Sequence, residues 1–352
     1  MRTYNKLILA VLIIFISLPF FCGYASLQNK TISAWLAYWD IKNGMWQLKN
    51  NFLDKIDEVA LFFYALDKDG NIVNIAKDPG ECRQVIDTLH QLGIKAIPAV
   101  TNDVIYSASE KKIKEPQILH DILSDENSRQ KHIQRLMEII KETNADGIDI
   151  DYENMYTEDN ELFALFIREL ADTLHGENKT LIVTVQQKIE DHRKSWAGTV
   201  NWRQIAKYAD RVTIMCYNYS SKVSRPGPIC PAFWLIDIIE FAKSQIPLEK
   251  ISIALGFYGY DWSKGEANTV NFRQAKALAE SNNTKINWDK KSQSPYFSYS
   301  KDGAGHVVWF ENEQSMAKKI QILRKYKIQS ISLWHMGLLD PVFLEDITSF
   351  SK

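Results

Sequence analysis

The chain has 352 residues, and its 42 basic and 43 acidic side chains leave a net charge of −1 at pH 7. Because the basic residues are scattered, the chain lacks the clustered positive surface that nucleic-acid binding requires, and we expect no nucleic-acid partner. Its 10 Trp and 15 Tyr residues can supply a sugar-stacking cleft as well as a core.

The N-terminus has the features of a secretory signal peptide. A basic start precedes an apolar run, residues 7–18, which is shorter than the roughly 20 residues that span a bilayer. Small residues three positions and one position before the cut predict cleavage after Ala25. We therefore expect residues 1–25 to be removed and residues 26–352 to be secreted or held in the cell envelope. An uncleaved membrane anchor is the alternative.

Short apolar runs alternate with stretches of helical periodicity along the rest of the chain. This order is typical of βα units and a parallel sheet. Eight runs have the length and composition of strands, and eight parallel strands with helices between them close into a (β/α)8 TIM barrel, an α/β fold. The predicted strands are Ile32–Trp39, Glu58–Tyr64, Ile94–Val100, Gly147–Glu153, Leu181–Gln187, Arg211–Asn218, Ile251–Phe257 and Gln329–His335.

The fourth predicted strand has opposite chemistry on its two faces. Residues 146–153 read D-G-I-D-I-D-Y-E, and side chains alternate along a strand, so Asp149, Asp151 and Glu153 share one face. Three ionised acids on a buried strand would repel, so they must share protons or find partners. A working site is the simplest interpretation, and a solvated edge strand is the alternative. Asp146 is out of phase and is interpreted as structural.

The connection between the seventh and eighth predicted strands, residues 259–328, is too long for one helix. Asp302-Gly303 is a tight-turn signal and predicts a small hairpin, and a helix is predicted over Gln314–Tyr326. We interpret this connection as a small insertion between strands 7 and 8 of one barrel domain, residues 26–352.

Three cysteines remain after the predicted cleavage, so at most one disulfide bond can form. Cys216 and Cys230 are the only pair close in sequence, but alternation places Cys216 on the outward side of its strand, and the pairing is left open. The seven His residues include no metal-ligand spacing, and no metal site is expected.

The acidic strand resembles the active-site strand D-G-x-D-x-D-x-E of glycoside hydrolase family 18, the chitinase-like enzymes. Other segments resemble motifs of that family, in the same order, over nearly the whole mature chain. The segment H-V-V-W-F-E-N (His306–Asn312) is closest to the bacterial spore-cortex and peptidoglycan glucosaminidases, to which the chitobiases are near relatives. The other matching segments are Thr213–Tyr219, Ala254–Trp262 and Ser330–Gly337.

The resemblance implies retaining hydrolysis in which the substrate supplies the nucleophile. Glu153 would protonate the glycosidic oxygen while the 2-acetamido oxygen of the sugar attacks its own anomeric carbon. Asp151 would accept a hydrogen bond from the acetamido N–H and share a proton with Asp149, and Tyr217 would hold the acetamido oxygen. This chemistry needs no cofactor.

Aromatic and apolar side chains at the strand ends are candidates for binding the sugar. Trp334 is expected to stack under the ring and Met215 to form part of the apolar floor, although either could be barrel core. Tyr258 and Tyr38 either line the cleft or pack their loops. Asn218 stands where the family most often has Asp, which keeps the hydrogen-bonding shape but removes a charge.

Two functions fit these residues. The first is an exported glycosidase that cleaves β-1,4 linkages in N-acetylglucosamine-containing glycans, either peptidoglycan or chitin oligosaccharides. The second is a non-hydrolytic carbohydrate-binding protein on the same barrel. Such proteins usually lose the final acid of the motif, whereas Glu153 is present here. The expected partner is thus such a glycan, bound by a monomer with no stable membrane association after signal cleavage.

Overall fold

The computed structural model of the chain describes residues 30–78, 80–107, 110–191 and 199–351. The predicted signal peptide and its cleavage site lie outside the described residues. Within those ranges, eight parallel strands with helices between them close into a barrel, and the eight predicted barrel strands are confirmed. No helix of the described ranges has the length and apolar character needed to cross a bilayer.

The strands of the described residues form two sheets. In chain order they are β1 (Thr31–Ala37), β2 (Glu58–Asp67), β3 (Ile72–Asn74), β4 (Lys95–Ile105), β5 (Lys111–Lys112), β6 (Gly147–Asp151), β7 (Thr180–Gln186), β8 (Arg211–Met215), β9 (Ile251–Gly256), β10 (Gly259–Ser263), β11 (Glu266–Val270), β12 (Asn287–Asp289), β13 (Ser294–Lys301), β14 (Ala304–Trp309) and β15 (Ser330–Trp334). The barrel order is β1-β2-β4-β6-β7-β8-β9-β15, and β15 pairs with β1 to close it.

Helices surround the barrel and connect its strands. They are α1 (Ile41–Gln47), α2 (Glu81–Gln91), α3 (Pro116–Ser124), α4 (Glu126–Thr143), α5 (Asn160–Gly176), α6 (Trp202–Ile205), α7 (Ala232–Gln245), α8 (Phe272–Ser281), α9 (Glu313–Lys325) and α10 (Leu344–Ser351). Strand and helix faces bury one continuous apolar core between the sheet and this outer layer.

The two faces of β6 separate as the alternation predicts. Ile148 and Ile150 are fully buried in the core outside the barrel, and Tyr152 stacks on Phe166 of α5 with ring centroids 6.2 Å apart. Asp146 lies at the opposite end of the strand from the other acids. Its carboxylate accepts a hydrogen bond from the backbone N–H of Ala96 on β4 at 2.8 Å. The structural interpretation of Asp146 therefore fits its position.

The insertion between β9 and β15 is larger than the hairpin that the sequence predicts. It contains β10 to β14, a five-stranded antiparallel sheet, together with α8. The predicted hairpin is confirmed as β13 and β14, with positive φ at both Asp302 and Gly303, as a tight hairpin turn requires. Helix α9 follows within one residue of the predicted bounds. Strands β10 and β11 lack strong alternation, which explains why periodicity missed them.

The open question of a disulfide bond is answered for the described residues. Cys82, Cys216 and Cys230 are all free and buried. Cys216 lies in the core outside the barrel, on the outward face that alternation predicts. The pair therefore contributes to the core as two thiols and not as a covalent bond.

A buried ion pair joins the insertion to α9 and leads to the first testable prediction. The ammonium of Lys319 lies 2.6 Å from the carboxylate of Glu311, and their side chains are only 2% and 1% exposed. Lys319→Met should lower the free energy of unfolding by about 3–5 kcal/mol, because it leaves a buried charge without its partner. Urea unfolding would measure the loss.

Lys318→Met is the matched control, because Lys318 is the neighbouring lysine on α9 and is exposed. The double variant Glu311→Leu, Lys319→Met should recover much of the loss, since it removes both charges together. A Lys319→Met protein as stable as the Lys318→Met protein would contradict the prediction.

Candidate active site

The three acids of β6 point into the barrel and rise toward its carboxyl-terminal mouth. Asp149 is 2% exposed and Asp151 is 3% exposed, whereas Glu153 is half-buried just beyond the end of the strand. The carboxyl ends of parallel strands meet at this mouth, which is where barrels of this type place their functional groups. The alternation of a single strand thus orders the acids by depth.

Asp149 is the deepest of the three acids, and it is hydrogen-bonded to a side chain of the neighbouring strand. The hydroxyl of Thr184 on β7 donates to its two carboxylate oxygens at 2.9 and 3.0 Å. Burial raises the pKa of Asp149 to about 7, against the opposing effects of this hydrogen bond and of Arg211. Arg211 itself is paired with the buried Glu58, so the charges beneath Asp149 are balanced. Asp149 can therefore hold a proton near neutral pH.

Asp151 lies one step higher, and one of its carboxylate oxygens has no partner among the described residues. Burial is the main cause that raises its pKa, the ammonium of Lys114 opposes it, and the neighbouring Glu153 and Asp149 raise it further. Lys114 lies 3.4 Å from Oδ2 of Asp151. Among the described residues no donor reaches Oδ1, which is buried. A buried acceptor of this kind is costly unless a ligand supplies the donor.

Glu153 is bound through both carboxylate oxygens. Lys114 Nζ lies 2.6 Å from Oε1, and the amide Nε2 of Gln186 donates to Oε2 at 2.6 Å. The side chain of Asn102 fixes the backbone, because it accepts from the Glu153 N–H at 2.9 Å and donates to the Glu153 carbonyl at 2.8 Å. These contacts aim the carboxylate into the mouth of the barrel.

Aromatic rings form the other wall of the cleft. Tyr217 and Trp334 stack with centroids 6.2 Å apart, and Trp334 meets Trp35 and Phe62 edge to face. Burial, followed by the charges of Asp151 and Glu153, raises the pKa of Tyr217, so its hydroxyl stays protonated and can donate a hydrogen bond.

Asn218 adopts a left-handed backbone with φ of 62°, a conformation that Asn and Asp tolerate better than most residues. Its side-chain oxygen accepts hydrogen bonds from the hydroxyls of Tyr258 and Tyr260 at 2.7 and 2.9 Å. An amide oxygen satisfies these two donors without placing a further negative charge near Asp151. Tyr258 thus lies behind Asn218, where it supports the cleft without lining it.

Tyr38 also lies beside the cleft. It is half-buried, packs on Phe62 with centroids 6.4 Å apart, and borders a neighbouring depression with Trp39. The cleft itself has a volume of about 400 Å³. Its lining residues are Trp35, Trp39, Phe62, Asp103, Lys111, Ile113, Lys114, Asp151, Glu153, Gln186, Gln187, Met215, Tyr217, Asn218 and Trp334. Of the predicted site residues, the structure brings Asp151, Glu153, Met215, Tyr217, Asn218 and Trp334 together in the cleft wall.

A cleft with stacked acids and an aromatic wall is suited to proton transfer on a sugar. Residues 32–338 match the sequence model of the family described as "Glycosyl hydrolases family 18". The chain belongs to this family. The protein is therefore a glycosidase. The family membership, predicted from the acidic strand and the later motifs, is confirmed, and so is the barrel fold, predicted from the eight strands that alternate with helices.

Relatives of the family 18 barrel include bacterial and human proteins. The putative sporulation-specific glycosylase YdhD of Bacillus subtilis is 28% identical over 83% of this chain and 68% of its own length. Human di-N-acetylchitobiase is 27% identical over 61% of this chain and 65% of its own length. The crystal structure of the spore cortex-lytic enzyme SleL of Bacillus cereus has a TM-score of 0.81 and 24% identity, covering 91% of this chain and 74% of that one, which supports the fold.

Reasoning from the sequence missed the three polar side chains that contact the carboxylates of the family 18 site among the described residues. Lys114, Gln186 and Thr184 contact the acids of β6 directly. Thr184 and Gln186 share the inward face of β7, so alternation along that predicted strand could have found them. Lys114 belongs to a lysine-rich stretch with no periodic signal, and only the folded chain brings it to the acids. Among the described residues no group of three His, Cys, Asp or Glu side chains is arranged to hold a metal ion.

Proposed function

We propose that this protein is an exported hydrolase of β-1,4-linked N-acetylglucosamine glycans that works by substrate-assisted, retaining catalysis. The observation that carries the proposal is the buried Oδ1 of Asp151, which has no hydrogen-bond partner among the described residues and belongs to a cleft that Glu153 and Tyr217 also line. A 2-acetamido group offers one N–H donor and one carbonyl acceptor. Asp151 supplies the acceptor for the first, and the Tyr217 hydroxyl supplies the donor for the second.

These positions support the following proposed reaction. Glu153 protonates the glycosidic oxygen as the bond to the leaving sugar breaks. The acetamido oxygen attacks the anomeric carbon and gives an oxazolinium ion, whose positive charge the Asp149–Asp151 pair stabilises. Water, activated by the now ionised Glu153, then opens the ion and restores the acetamido group. Trp334 supports the sugar ring from the aromatic wall.

Peptidoglycan or short oligosaccharides are the favoured substrates. Relatives named for sporulation and for lysis of cortical fragments support peptidoglycan, and those named di-N-acetylchitobiase support short chitin oligosaccharides. The predicted signal peptide supports an activity outside the cytoplasm. A non-hydrolytic binding role is less favoured, because all the acids of the motif are present and Asp151 and Glu153 line one cleft.

A reducing-sugar assay of the mature protein on purified peptidoglycan and on chitin oligomers tests the proposal. Release of new reducing ends from either substrate, with mass spectrometry assigning N-acetylglucosamine to those ends, would support it. Glucan oligomers of equal length are the control, since they lack the acetamido group. Tight binding of the same glycans without release of reducing ends would favour the binding role instead.

Chelation should leave the activity unchanged, because the substrate supplies the nucleophile and the side chains above supply the acid. Dialysis against EDTA followed by the same assay checks this expectation. A loss of rate that one divalent ion restores would mean that a metal takes part in the reaction.

A further inference from the structure

The side-chain amide of Asn218 lies in the wall of the cleft, and the reaction proposed above does not use it. Asn218 is exposed and lines the cleft directly after Tyr217, at the position where family 18 most often has Asp. An amide and a carboxylate have nearly the same shape, but only the amide carries N–H donors. The residue at this position therefore affects which groups of a substrate can bind here.

Two tyrosine hydroxyls fix the orientation of the Asn218 amide. Its Oδ1 accepts hydrogen bonds from Tyr258 at 2.7 Å and from Tyr260 at 2.9 Å, and both tyrosines are buried. If the amide were turned over, its NH₂ group would face the two hydroxyl oxygens. At least one hydroxyl proton would then have no acceptor among the described residues. Because an unpaired buried donor is costly, Oδ1 stays on the tyrosines.

The N–H groups of Asn218 are consequently free for a ligand. Both hydrogen bonds that this side chain makes within the described residues use Oδ1, and neither uses Nδ2. Since the side chain is exposed and lines the cleft, Nδ2 can donate to a substrate. A carboxylate at the same position would offer acceptors only.

A donor at this position distinguishes between the two sugars of the candidate glycans. N-acetylglucosamine has a hydroxyl at C3, which can both donate and accept a hydrogen bond. N-acetylmuramic acid has a lactyl ether at C3, which replaces the hydroxyl with an ether oxygen and a carboxylate, both of them acceptors. Asn218 can donate to such a group, whereas a carboxylate in its place would repel it.

The loop that follows Asn218 carries positive charge. Lys222 and Arg225 are the charged residues of the segment 219–230, both are exposed, and neither forms an ion pair with another described residue. The loop is tied to the insertion sheet, because the indole N–H of Trp262 donates to the carbonyl of Ser221 at 3.2 Å. The charge of this segment thus complements an anionic substituent on the glycan.

We propose that Asn218 is a specificity-determining residue, which donates a hydrogen bond to the lactyl group of N-acetylmuramic acid and so favours peptidoglycan strands over chitin. This role rests on the proposed function, since the glycan must occupy the same cleft to be cleaved. Asn218 binds a substituent of the substrate and takes no part in proton transfer.

Two tetrasaccharides test this role. One alternates N-acetylglucosamine with N-acetylmuramic acid and has free lactyl carboxylates, and the other is chitotetraose. The quantity measured is the ratio of kcat/KM on the muramyl tetrasaccharide to kcat/KM on chitotetraose, which should exceed one for the wild type. Asn218→Asp should lower this ratio by about 10-fold, the scale of one hydrogen bond to a charged group. An effect on the general acid would change both rates and cancel in the ratio.

A second variant separates the loss of the donor from the gain of a charge. Asn218→Gly removes the amide without adding a charge, and glycine tolerates the φ of 62° at this position. It should lower the ratio in the same direction as Asn218→Asp. Gln187→Glu is the matched control, because Gln187 lines the same cleft and undergoes the same change from amide to carboxylate. It should change the ratio far less, and thermal unfolding of each variant checks its fold.

A wild-type ratio of one or below would overturn the role of Asn218, and this measurement depends on no variant. A ratio that Asn218→Asp or Asn218→Gly leaves unchanged would overturn it too, as would an equal fall with Gln187→Glu. In each of these cases, cleavage of chitotetraose would leave the proposed function in place. Failure to cleave either tetrasaccharide would refute the proposed function, and the role of Asn218 with it.

Discussion

Glu153→Gln is expected to lower the hydrolysis rate by about 10²–10⁴-fold, the usual contribution of general acid catalysis. The amide has the size of the carboxyl group and can still accept a hydrogen bond from Lys114, but it carries no proton to give to the leaving oxygen. Folding should be intact, because Glu153 is half-buried at the mouth of the barrel and its backbone is held by Asn102. Steady-state rates across pH, with thermal unfolding in parallel, measure both expectations.

Glu158→Gln is the matched control for this variant. Glu158 follows the same strand and is exposed, so its neutralisation should change neither the rate nor the unfolding temperature. If Glu153→Gln kept more than about a tenth of the wild-type rate at every pH, far above the loss expected for a general acid, Glu153 would not be the acid.

The second large effect expected is a complete dependence on the 2-acetamido group of the sugar. Glucose-based substrates should not turn over measurably, because in the proposed reaction Asp149 and Asp151 support a nucleophile within the substrate and do not themselves attack the sugar. In the proposed reaction the acetamido oxygen and then water attack the same carbon, so a β-linked substrate should give the β-anomer first. Proton NMR of the product, recorded before mutarotation, measures this.

A thiazoline analogue of N-acetylglucosamine provides an independent check, since it resembles the oxazolinium ion and should inhibit competitively. Asp151→Asn should weaken that inhibition, because the amide can present its NH₂ group where the ring N–H needs an acceptor. An initial α-anomer from a β-linked substrate would indicate direct attack by water, and the roles of Asp149, Asp151 and Tyr217 would then have to be abandoned.

The sequence alone determined that the three acids lie on one face of their strand. The strand period of two places Asp149, Asp151 and Glu153 on one face in any strand, whatever surrounds it. The barrel follows in the same way from eight buried strands separated by helical stretches, because each must cover its apolar face with the next unit. The turn at Asp302-Gly303 is likewise local, since it depends on the positive φ of two adjacent residues.

Only the tertiary structure determined which charged side chains contact those acids. Lys114 is 39 positions from Glu153 in the chain, and no periodicity links them; the segment between β5 and α3 brings it into the cleft. The position of Tyr258 behind Asn218 and the size of the insertion sheet were also invisible to local patterns, because both depend on pairings between distant segments. Alternation fixes the direction of a side chain along its own strand, whereas the partner it meets depends on how the whole chain closes around it.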